Sequence, residues 1–196
     1  MKVGKKTALL CVDLQKNLTL EGGGNYYPTA AEMMPRVIEN IQRFRELGAH
    51  IIYIWTKMHP SSGLTCAGPA VNPELAGRHV PRPAWGMELD DRLTIDPEDD
   101  VLCKFTYSAF WGTPLVERLQ QKGVENVLVC GIKTNVCCRQ TAIDSTSHGF
   151  KTYVIQDMTC TNNHEIKDYH LAEMDKYFAK VIDSGEVIRR LESGEF

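Results

Sequence analysis

Three residues of this sequence are of the types that perform acyl transfer. Asp13 and Lys104 each come directly after a short apolar run, and Cys137 opens a helical pattern that follows a third run. A thiolate at a helix N-terminus is stabilised by the helix dipole and by a nearby cation, which Lys104 would supply. Asp13 would take the thiol proton and pass it to a leaving amine. Backbone N–H groups at the helix start would hold an oxyanion, so the set predicts attack on a carbonyl through a thioester.

Each of these residues also has an ordinary structural interpretation when taken alone. An aspartate after a strand often caps the next helix, and a lysine in that position usually meets water. A cysteine in a first helical turn is most often a small packed residue. The catalytic hypothesis therefore depends on a fold that brings the three side chains to one place.

The positioning elements are short runs that are apolar throughout. They lie at residues 8–12, 51–55, 101–103, 127–130 and 152–155, with 181–182 as a weaker sixth. Unbroken apolar runs are typical of parallel strands covered on both faces. Helical patterns lie between and after them, at residues 35–47, 113–122, 136–148, 165–178 and 186–191. This alternation predicts βαβ units with right-handed crossovers.

The organisation of the chain predicts a single domain over residues 1–196, since no repeat or linker divides it. In open α/β sheets, ligands bind beyond the carboxyl ends of the strands, where Asp13, Lys104 and Cys137 are placed. The proline-rich stretch 57–100 interrupts the alternation, and a loop of this length is expected to cover a site.

Charge and cysteine content exclude several classes of function. A net charge of −3 gives no basic surface for nucleic acid, and no apolar run is long enough to cross a membrane. Seven cysteines without a secretory signal argue against a disulfide framework and favour the reducing cytoplasm. The adjacent pair Cys137 and Cys138 does not form the CxxC motif of a redox protein or a zinc site. Gly22–24 comes too late after the first strand for a phosphate-binding loop.

Three segments resemble the motifs of isochorismatase-like cysteine hydrolases, and they occur in the family's order. The segment 131–144, Gly-Ile-Lys-Thr-Asn-Val-Cys-Cys-Arg-Gln-Thr-Ala-Ile-Asp, resembles the nucleophile signature, with Gly149 and Asp157 further on. The segment 12–15, Val-Asp-Leu-Gln, resembles the first motif, and 104–115, beginning Lys-Phe-Thr-Tyr-Ser, resembles the lysine motif. Together the matches span most of the chain.

The resemblance implies a Rossmann-like three-layer α/β/α sandwich and a catalytic triad of Asp13, Lys104 and Cys137. It also implies a cis peptide bond between Ile132 and Lys133. That bond would aim the N–H of Lys133, together with the N–H of Cys137, at the oxyanion. For the triad to converge we expect neighbouring strands, which favours a mainly parallel six-stranded sheet in the order 2-1-3-4-5-6.

Within the family, Cys137 disfavours vinyl-ether cleavage, because the isochorismatases proper lack this cysteine. The segment after strand two, Trp-Thr-Lys-Met-His-Pro, lacks the metal-binding Asp-x-His of nicotinamidases, and only His59 and distant His79 remain. We therefore expect no metal and no cofactor. The expected substrate is a small amide, carbamoyl or ureido compound whose C–N bond is cleaved. The alternatives are a nicotinamidase-type amidase and a catalytically silent homologue that binds a small molecule.

Further residues are candidates for substrate binding or for assembly. Pocket walls would come from the 57–100 loop and the lysine motif, and Phe110 is interpreted as packing. Arg78 or Arg82 would pair with a substrate carboxylate. The predicted substrate-binding residues are Gln15, Leu18, Trp85, Tyr107, Trp111 and Asn135. The resemblance also implies a homo-oligomer, either a dimer or a tetramer.

Overall fold

A computed structural model describes residues 4–57 and 84–196 of the chain. The described residues form a six-stranded sheet in which every adjacent pair of strands is parallel. Its strands are β1 (Thr7–Val12), β2 (His50–Thr56), β3 (Asp100–Lys104), β4 (Asn126–Ile132), β5 (Lys151–Cys160) and β6 (Lys180–Ile182). All six predicted strands are confirmed. β5 is longer than predicted and continues through Asp157 to Cys160, after a register shift against β4.

The predicted strand order is wrong. The observed order is β3-β2-β1-β4-β5-β6, so β3 lies outside β2 and not beside β1. The prediction assumed that Asp13 and Lys104 must come from neighbouring strands. A lysine side chain is long enough to reach across an intervening strand, since neighbouring strands are only about 4.8 Å apart. The order places the topological switch between β1 and β4, which respectively precede Asp13 and the Cys137 segment.

Helices cover both faces of the sheet and produce the three-layer sandwich. They are α1 (Lys16–Thr19), α2 (Pro28–Glu46), α3 (Leu115–Gln121), α4 (Arg139–Ser147), α5 (His164–Tyr177) and α6 (Ser184–Ser193). Leu9 and Cys11 of β1 pack in the core on the side of α2 and α6. Leu10 and Val12 pack in a second core with α3, α4 and α5. Alternate residues of one strand thus enter opposite cores, as the geometry of a strand requires.

The first long helix begins earlier than predicted. The sequence pattern suggested a start at Pro35, because proline favours a first helical turn, but Pro28 occupies that position in α2. Pro35 lies inside the helix, on its exposed side. Buried Met33, Met34 and Val37 hold this part of the helix on the sheet. Tertiary packing therefore outweighs the proline signal. Among the described residues, no helix combines the length and apolarity needed to cross a bilayer.

Candidate active site

Asp13 directly follows β1 and is almost completely buried. Its φ is +54°, a left-handed conformation that aspartate tolerates better than most residues. Its backbone N–H donates to the carbonyl of Ile54, 2.8 Å away, so the turn is fixed to β2. The Oδ1 atom accepts a hydrogen bond of 2.6 Å from the Thr56 hydroxyl, and Oδ2 accepts one of 2.9 Å from the Lys104 Nζ. The carboxylate is thus buried, oriented and paired with a cation.

Lys104 ends β3 with no exposed surface. Its ammonium donates to Asp13 Oδ2 at 2.9 Å, to Thr56 Oγ1 at 2.5 Å and to the Thr106 carbonyl at 3.0 Å. Burial on its own would lower the pKa of Lys104, but the Asp13 carboxylate and Cys137 outweigh it and raise the pKa. Lys104 therefore remains a buried cation through the neutral pH range.

Cys137 lies in a π-helical turn, Thr134–Cys138, that leads from β4 into α4. Such turns are frequent at functional sites. Its sulfur lies near enough to Asp13 and Lys104 for both side chains to act on the pKa of the thiol. Burial raises the pKa of the Cys137 thiol to about 12; Lys104 opposes this shift and the Asp13 carboxylate adds to it. In the resting site the sulfur therefore carries its proton, which Asp13 is placed to accept.

The loop before the nucleophile makes a close approach to β1. Gly131 has a φ of +117°, and a Cβ at this position would lie 2.0 Å from the carbonyl oxygen of Val12. Only glycine therefore fits here. The peptide bond between Ile132 and Lys133 is cis, as the resemblance implied. The Lys133 side chain, which the sequence left unplaced, lies with Nζ 4.8 Å from the centre of the Tyr27 ring.

Gln15 has a different environment from the one predicted for a substrate-binding residue. It is completely buried. Its amide nitrogen donates to the carbonyls of Thr56 and Met87, at 3.2 and 2.6 Å. Its amide oxygen accepts from the backbone N–H of Thr56 at 3.0 Å. Because both ends of the amide are engaged by the protein, Gln15 connects the backbone at Thr56 with the backbone at Met87.

The other predicted substrate residues occupy several environments. Leu18 is buried in the core beneath α2, whereas Trp85 and Tyr107 are exposed. Trp111 is the most open of these aromatic residues, with 68% of its surface exposed. Asn135 is partly buried, and its amide oxygen accepts a 2.6 Å hydrogen bond from Thr161.

Other predictions were either confirmed or fall outside the described range. Phe110 is buried against Phe150, which confirms its interpretation as packing. The two histidines and two arginines considered for metal or carboxylate binding lie outside the described residues: His59, His79, Arg78 and Arg82.

Sequence reasoning missed Thr56, the residue that contacts both Asp13 and Lys104. It ends β2, and its hydroxyl lies between the carboxylate and the ammonium. Its position at the carboxyl end of a strand, where this sheet type binds ligands, was an available signal. A threonine at a strand end is so common, however, that the signal distinguishes it from others only when the strand order is known.

The sequence and the fold of this chain are similar to those of several known proteins. A family model described as the isochorismatase domain matches residues 7–186. A protein of Arabidopsis thaliana named a probable inactive nicotinamidase is 30% identical over 181 residues, which cover 87% of this chain and 88% of the relative. The ureidoacrylate amidohydrolase of Cronobacter turicensis is 29% identical over 174 residues, covering 79% and 75%. The crystal structure of N-carbamoylsarcosine amidase from Thermoplasma acidophilum superposes with a TM-score of 0.75, at 26% identity, covering 91% and 96%.

Proposed function

The chain belongs to the isochorismatase family, and on that premise we propose that it hydrolyses a C–N bond of a small carboxamide or ureido compound through a thioester on Cys137. One observation carries the proposal: the Cys137 thiol lies beside the buried Asp13–Lys104 pair, whose charged atoms are 2.9 Å apart, and both side chains act on the pKa of the thiol. A buried ion pair costs desolvation energy, and replacing it with apolar residues is often neutral or stabilising. A buried ion pair beside a thiol is therefore better explained by a role in catalysis than by a contribution to stability.

In the first half-reaction, sulfur attacks the substrate carbonyl while its proton passes to Asp13. The new S–C bond forms as the carbonyl π bond breaks, which leaves a negative charge on oxygen. The proposed donors to that oxygen are two backbone N–H groups. One belongs to Lys133, just before the π-helical turn, and the other to Cys137, within the turn. Asp13 then gives its proton to the leaving nitrogen, the C–N bond breaks, and ammonia or an amine departs.

In the second half-reaction, water attacks the thioester and gives a proton to Asp13. The C–S bond breaks, and the thiol is restored when that proton returns to sulfur. Lys104 stays charged throughout, because its ammonium hydrogens already have three oxygen acceptors in the protein. It acts as a fixed positive charge that favours the ionised forms of both Asp13 and the sulfur. No step calls on a cofactor.

The relatives favour the carbamoyl and ureido class of substrate. Two of the three similar proteins are named for the hydrolysis of ureidoacrylate and N-carbamoylsarcosine, and both substrates carry a terminal carbamoyl nitrogen. The similarity to a protein named a probable inactive nicotinamidase supports two other candidates, nicotinamide hydrolysis and a silent homologue. The buried Asp13–Lys104 pair and the cysteine beside it argue against the silent form.

Substrate contacts are proposed for the exposed aromatic residues and for one amide. Trp85, Tyr107 and Trp111 are exposed and offer flat apolar surfaces to a planar amide or ureido group. Asn135 lies in the same helical turn as Cys137 and has an amide suited to a polar substrate group. Leu18 would contribute only apolar surface to the wall of the substrate pocket.

The test is ammonia release from a panel of simple amides, nicotinamide, ureido acids and biuret. Wild type is compared with Cys137→Ala and with Cys138→Ala, a matched control that removes the adjacent thiol. Cys138 is completely buried, so the urea midpoint of each variant shows whether it remains folded. We expect at least one panel compound to react, with activity lost in Cys137→Ala and kept in Cys138→Ala.

Two results would count against this function. Equal ammonia release from wild type and Cys137→Ala would remove the nucleophile. Binding of a panel compound by calorimetry, without any turnover by the wild type, would support the silent homologue. Turnover of nicotinamide alone would replace the ureido class while keeping the thioester mechanism.

We also propose that the protein works as one domain within a cytoplasmic homo-oligomer, a dimer or a tetramer. The six described cysteines are all free, which supports a location in the reducing cytoplasm. The exposed side chains of Tyr169 and Tyr177 support an oligomer. Large exposed aromatic residues are enriched at protein interfaces. Light scattering coupled to gel filtration measures the mass, and a monomeric mass would refute the oligomer.

A further inference from the structure

We propose that Thr56 is a positioning residue that orients the Asp13 carboxylate as the proton acceptor for Cys137. This inference rests on the proposed function and goes beyond the three residues expected from the sequence. The Thr56 hydroxyl lies within hydrogen-bond distance of both Asp13 and Lys104.

The direction of the hydrogen bonds around Thr56 follows from the chemistry of its partners. A lysine ammonium has only donors, so at 2.5 Å the Thr56 oxygen must accept from Lys104. The hydroxyl has a single hydrogen, which is then available to Asp13 Oδ1 at 2.6 Å. An ionised carboxylate only accepts, so this arrangement has one consistent polarity. The polarity runs from the ammonium through the hydroxyl to the carboxylate.

The strand order explains why a hydroxyl is needed at this point. Lys104 ends β3 and Asp13 follows β1, with β2 between them. Thr56 is the last residue of β2 and lies beside Lys104 in the sheet register. The Lys104 side chain must therefore pass over Thr56 to reach Asp13. An apolar side chain there would leave one ammonium hydrogen and one carboxylate oxygen buried without their partner, which is costly.

Thr56 is itself held rigidly by the protein. Its backbone N–H donates to Gln15 Oε1 at 3.0 Å, and its carbonyl accepts from Gln15 Nε2 at 3.2 Å. Gln15 lies two positions after Asp13 in the chain, so the same loop that carries the base also fixes Thr56. This double attachment keeps the hydroxyl at one distance from the carboxylate, as a preorganised site requires.

The consequence concerns the orientation of the Asp13 carboxylate. With Oδ1 held by Thr56 and Oδ2 held by Lys104, the carboxylate cannot rotate about its Cβ–Cγ bond without losing a hydrogen bond. The remaining lone pairs therefore point in a fixed direction relative to the Cys137 thiol. Thr56 is buried and its hydroxyl is engaged by Asp13 and Lys104, so it is expected to affect the chemical step and not substrate binding.

The experiment compares Thr56→Val, Thr56→Ser and wild type on the best panel substrate. Valine keeps the shape but lacks the hydroxyl, whereas serine restores it. For Thr56→Val we expect kcat to fall about 10- to 100-fold, the loss expected for one hydrogen bond to a charged group, with KM nearly unchanged. Thr56→Ser should recover most of this loss. The matched control is Thr152→Val. It removes a buried hydroxyl on another part of the sheet, where Thr152 donates to the Ser145 side chain.

The balance between kcat and KM separates positioning from a merely structural role. Asp13 faces the Lys104 ammonium from β3 and the Cys137 thiol from the π-helical turn, and both groups remain in the variant. A misdirected carboxylate slows proton transfer without weakening substrate binding, so kcat alone should fall in Thr56→Val. A general loosening of the site would raise KM as well. Both constants should stay near their wild-type values in Thr56→Ser and Thr152→Val.

Several outcomes would overturn the inference. It fails if Thr56→Val keeps the wild-type kcat, if its KM rises as much as its kcat falls, or if Thr56→Ser is as impaired as Thr56→Val. Should Thr56→Val fail to fold, the serine variant and alkylation of Cys137 by iodoacetamide in Thr56→Ala provide the decision. A wild-type alkylation profile in folded Thr56→Ala would refute the role. A fully active Cys137→Ala would instead refute the proposed function, so the two failures are distinguishable.

Discussion

Two adjacent cysteines in this protein lie beside two very different buried polar clusters. Cys137 contacts the charged cluster formed by Asp13, Thr56 and Lys104 at the ends of β1, β2 and β3. Cys138 lies beside a neutral cluster between β4 and β5, where the Thr159 hydroxyl lies 3.7 Å from its sulfur. The same residue type, at neighbouring positions, therefore meets a base and a cation in one case and only hydroxyls in the other.

The neutral cluster is built for packing. Thr159 Oγ1 is 2.9 Å from the Gly131 carbonyl, to which it donates, and 2.9 Å from the hydroxyl of Thr134. Burial raises the pKa of the Cys138 thiol well above its ordinary value, and the neighbouring Thr159 hydroxyl opposes the shift only in part. At Cys137 burial also raises the pKa, but Lys104 opposes it. The comparison teaches that reactivity follows from the neighbouring charges and not from the cysteine itself.

The largest expected effect comes from removing the cation of the charged cluster. Lys104→Met leaves Asp13 buried without its ionic partner, so we expect the free energy of unfolding to fall by about 3–5 kcal/mol. Ammonia release should fall about a thousandfold or more, because proton transfer and the stabilising charge are lost together. Urea unfolding and steady-state assays measure both. Lys151→Met, on an exposed lysine that begins β5, is the control and should change neither by much.

Asp13→Asn should separate two properties that the charged cluster combines. Hydrolysis should fall about 10²- to 10⁴-fold, because the amide cannot accept the thiol proton. The Asp13 charge raises the pKa of Cys137, so its removal should lower that pKa and make alkylation by iodoacetamide faster near pH 8. Opposite changes in the two rates are the expected result. If both rates fell together in a folded variant, Asp13 would have only a structural role.

The wild-type protein should show the raised pKa of Cys137 directly. Because this pKa is about 12, the thiolate fraction grows about tenfold per pH unit through the neutral and mildly alkaline range. The alkylation rate, followed by mass spectrometry of the Cys137 peptide, should therefore keep rising past pH 9. A plateau below pH 8 would show that Lys104 outweighs burial. Circular dichroism at each pH checks that the fold persists.

The smallest expected effect comes from the neutral cluster. Thr159→Val removes the hydroxyl that serves the buried Gly131 carbonyl, so stability should fall by about 1–3 kcal/mol. The charged cluster keeps all its contacts, and kcat should stay within about threefold of wild type. Thermal unfolding and ammonia release are the measurements. A loss of activity as large as that of Thr56→Val would mean that the two clusters do not act separately.

The sequence was most informative about the elements of the fold and about which candidate residues come together in it. Unbroken apolar runs and intervening helical patterns identify all six strands, because burial on both faces leaves a clear compositional signal. The cis bond before Lys133 was expected through the resemblance and is present. The order of the motifs thus identified residues that come together in the fold. Hydrophobic periodicity alone does not predict that they meet.

The strand order and the roles of the polar neighbours were beyond the sequence. The order depends on which strands pair across long crossovers, and each apolar run is compatible with several neighbours. Gln15 was expected to bind substrate because amides often do, yet its hydrogen bonds go to Thr56 and Met87. Which backbone groups lie within reach of a side chain is a tertiary property. For the same reason the position of Thr56 at the end of β2 did not distinguish it from other residues at strand ends.

The outer position of β3 has a consequence for how the protein acquires activity as it folds. Asp13 and Lys104 are separated by 91 positions in the chain, and β3 is an edge strand of the described sheet. Contacts between distant parts of a chain form slowly, and an edge strand has only one neighbour to retain it. A chain in which β1, β2 and β4 have already paired holds Asp13 without its lysine. Asp13 therefore gains its ionic partner only when the edge strand β3 docks on β2.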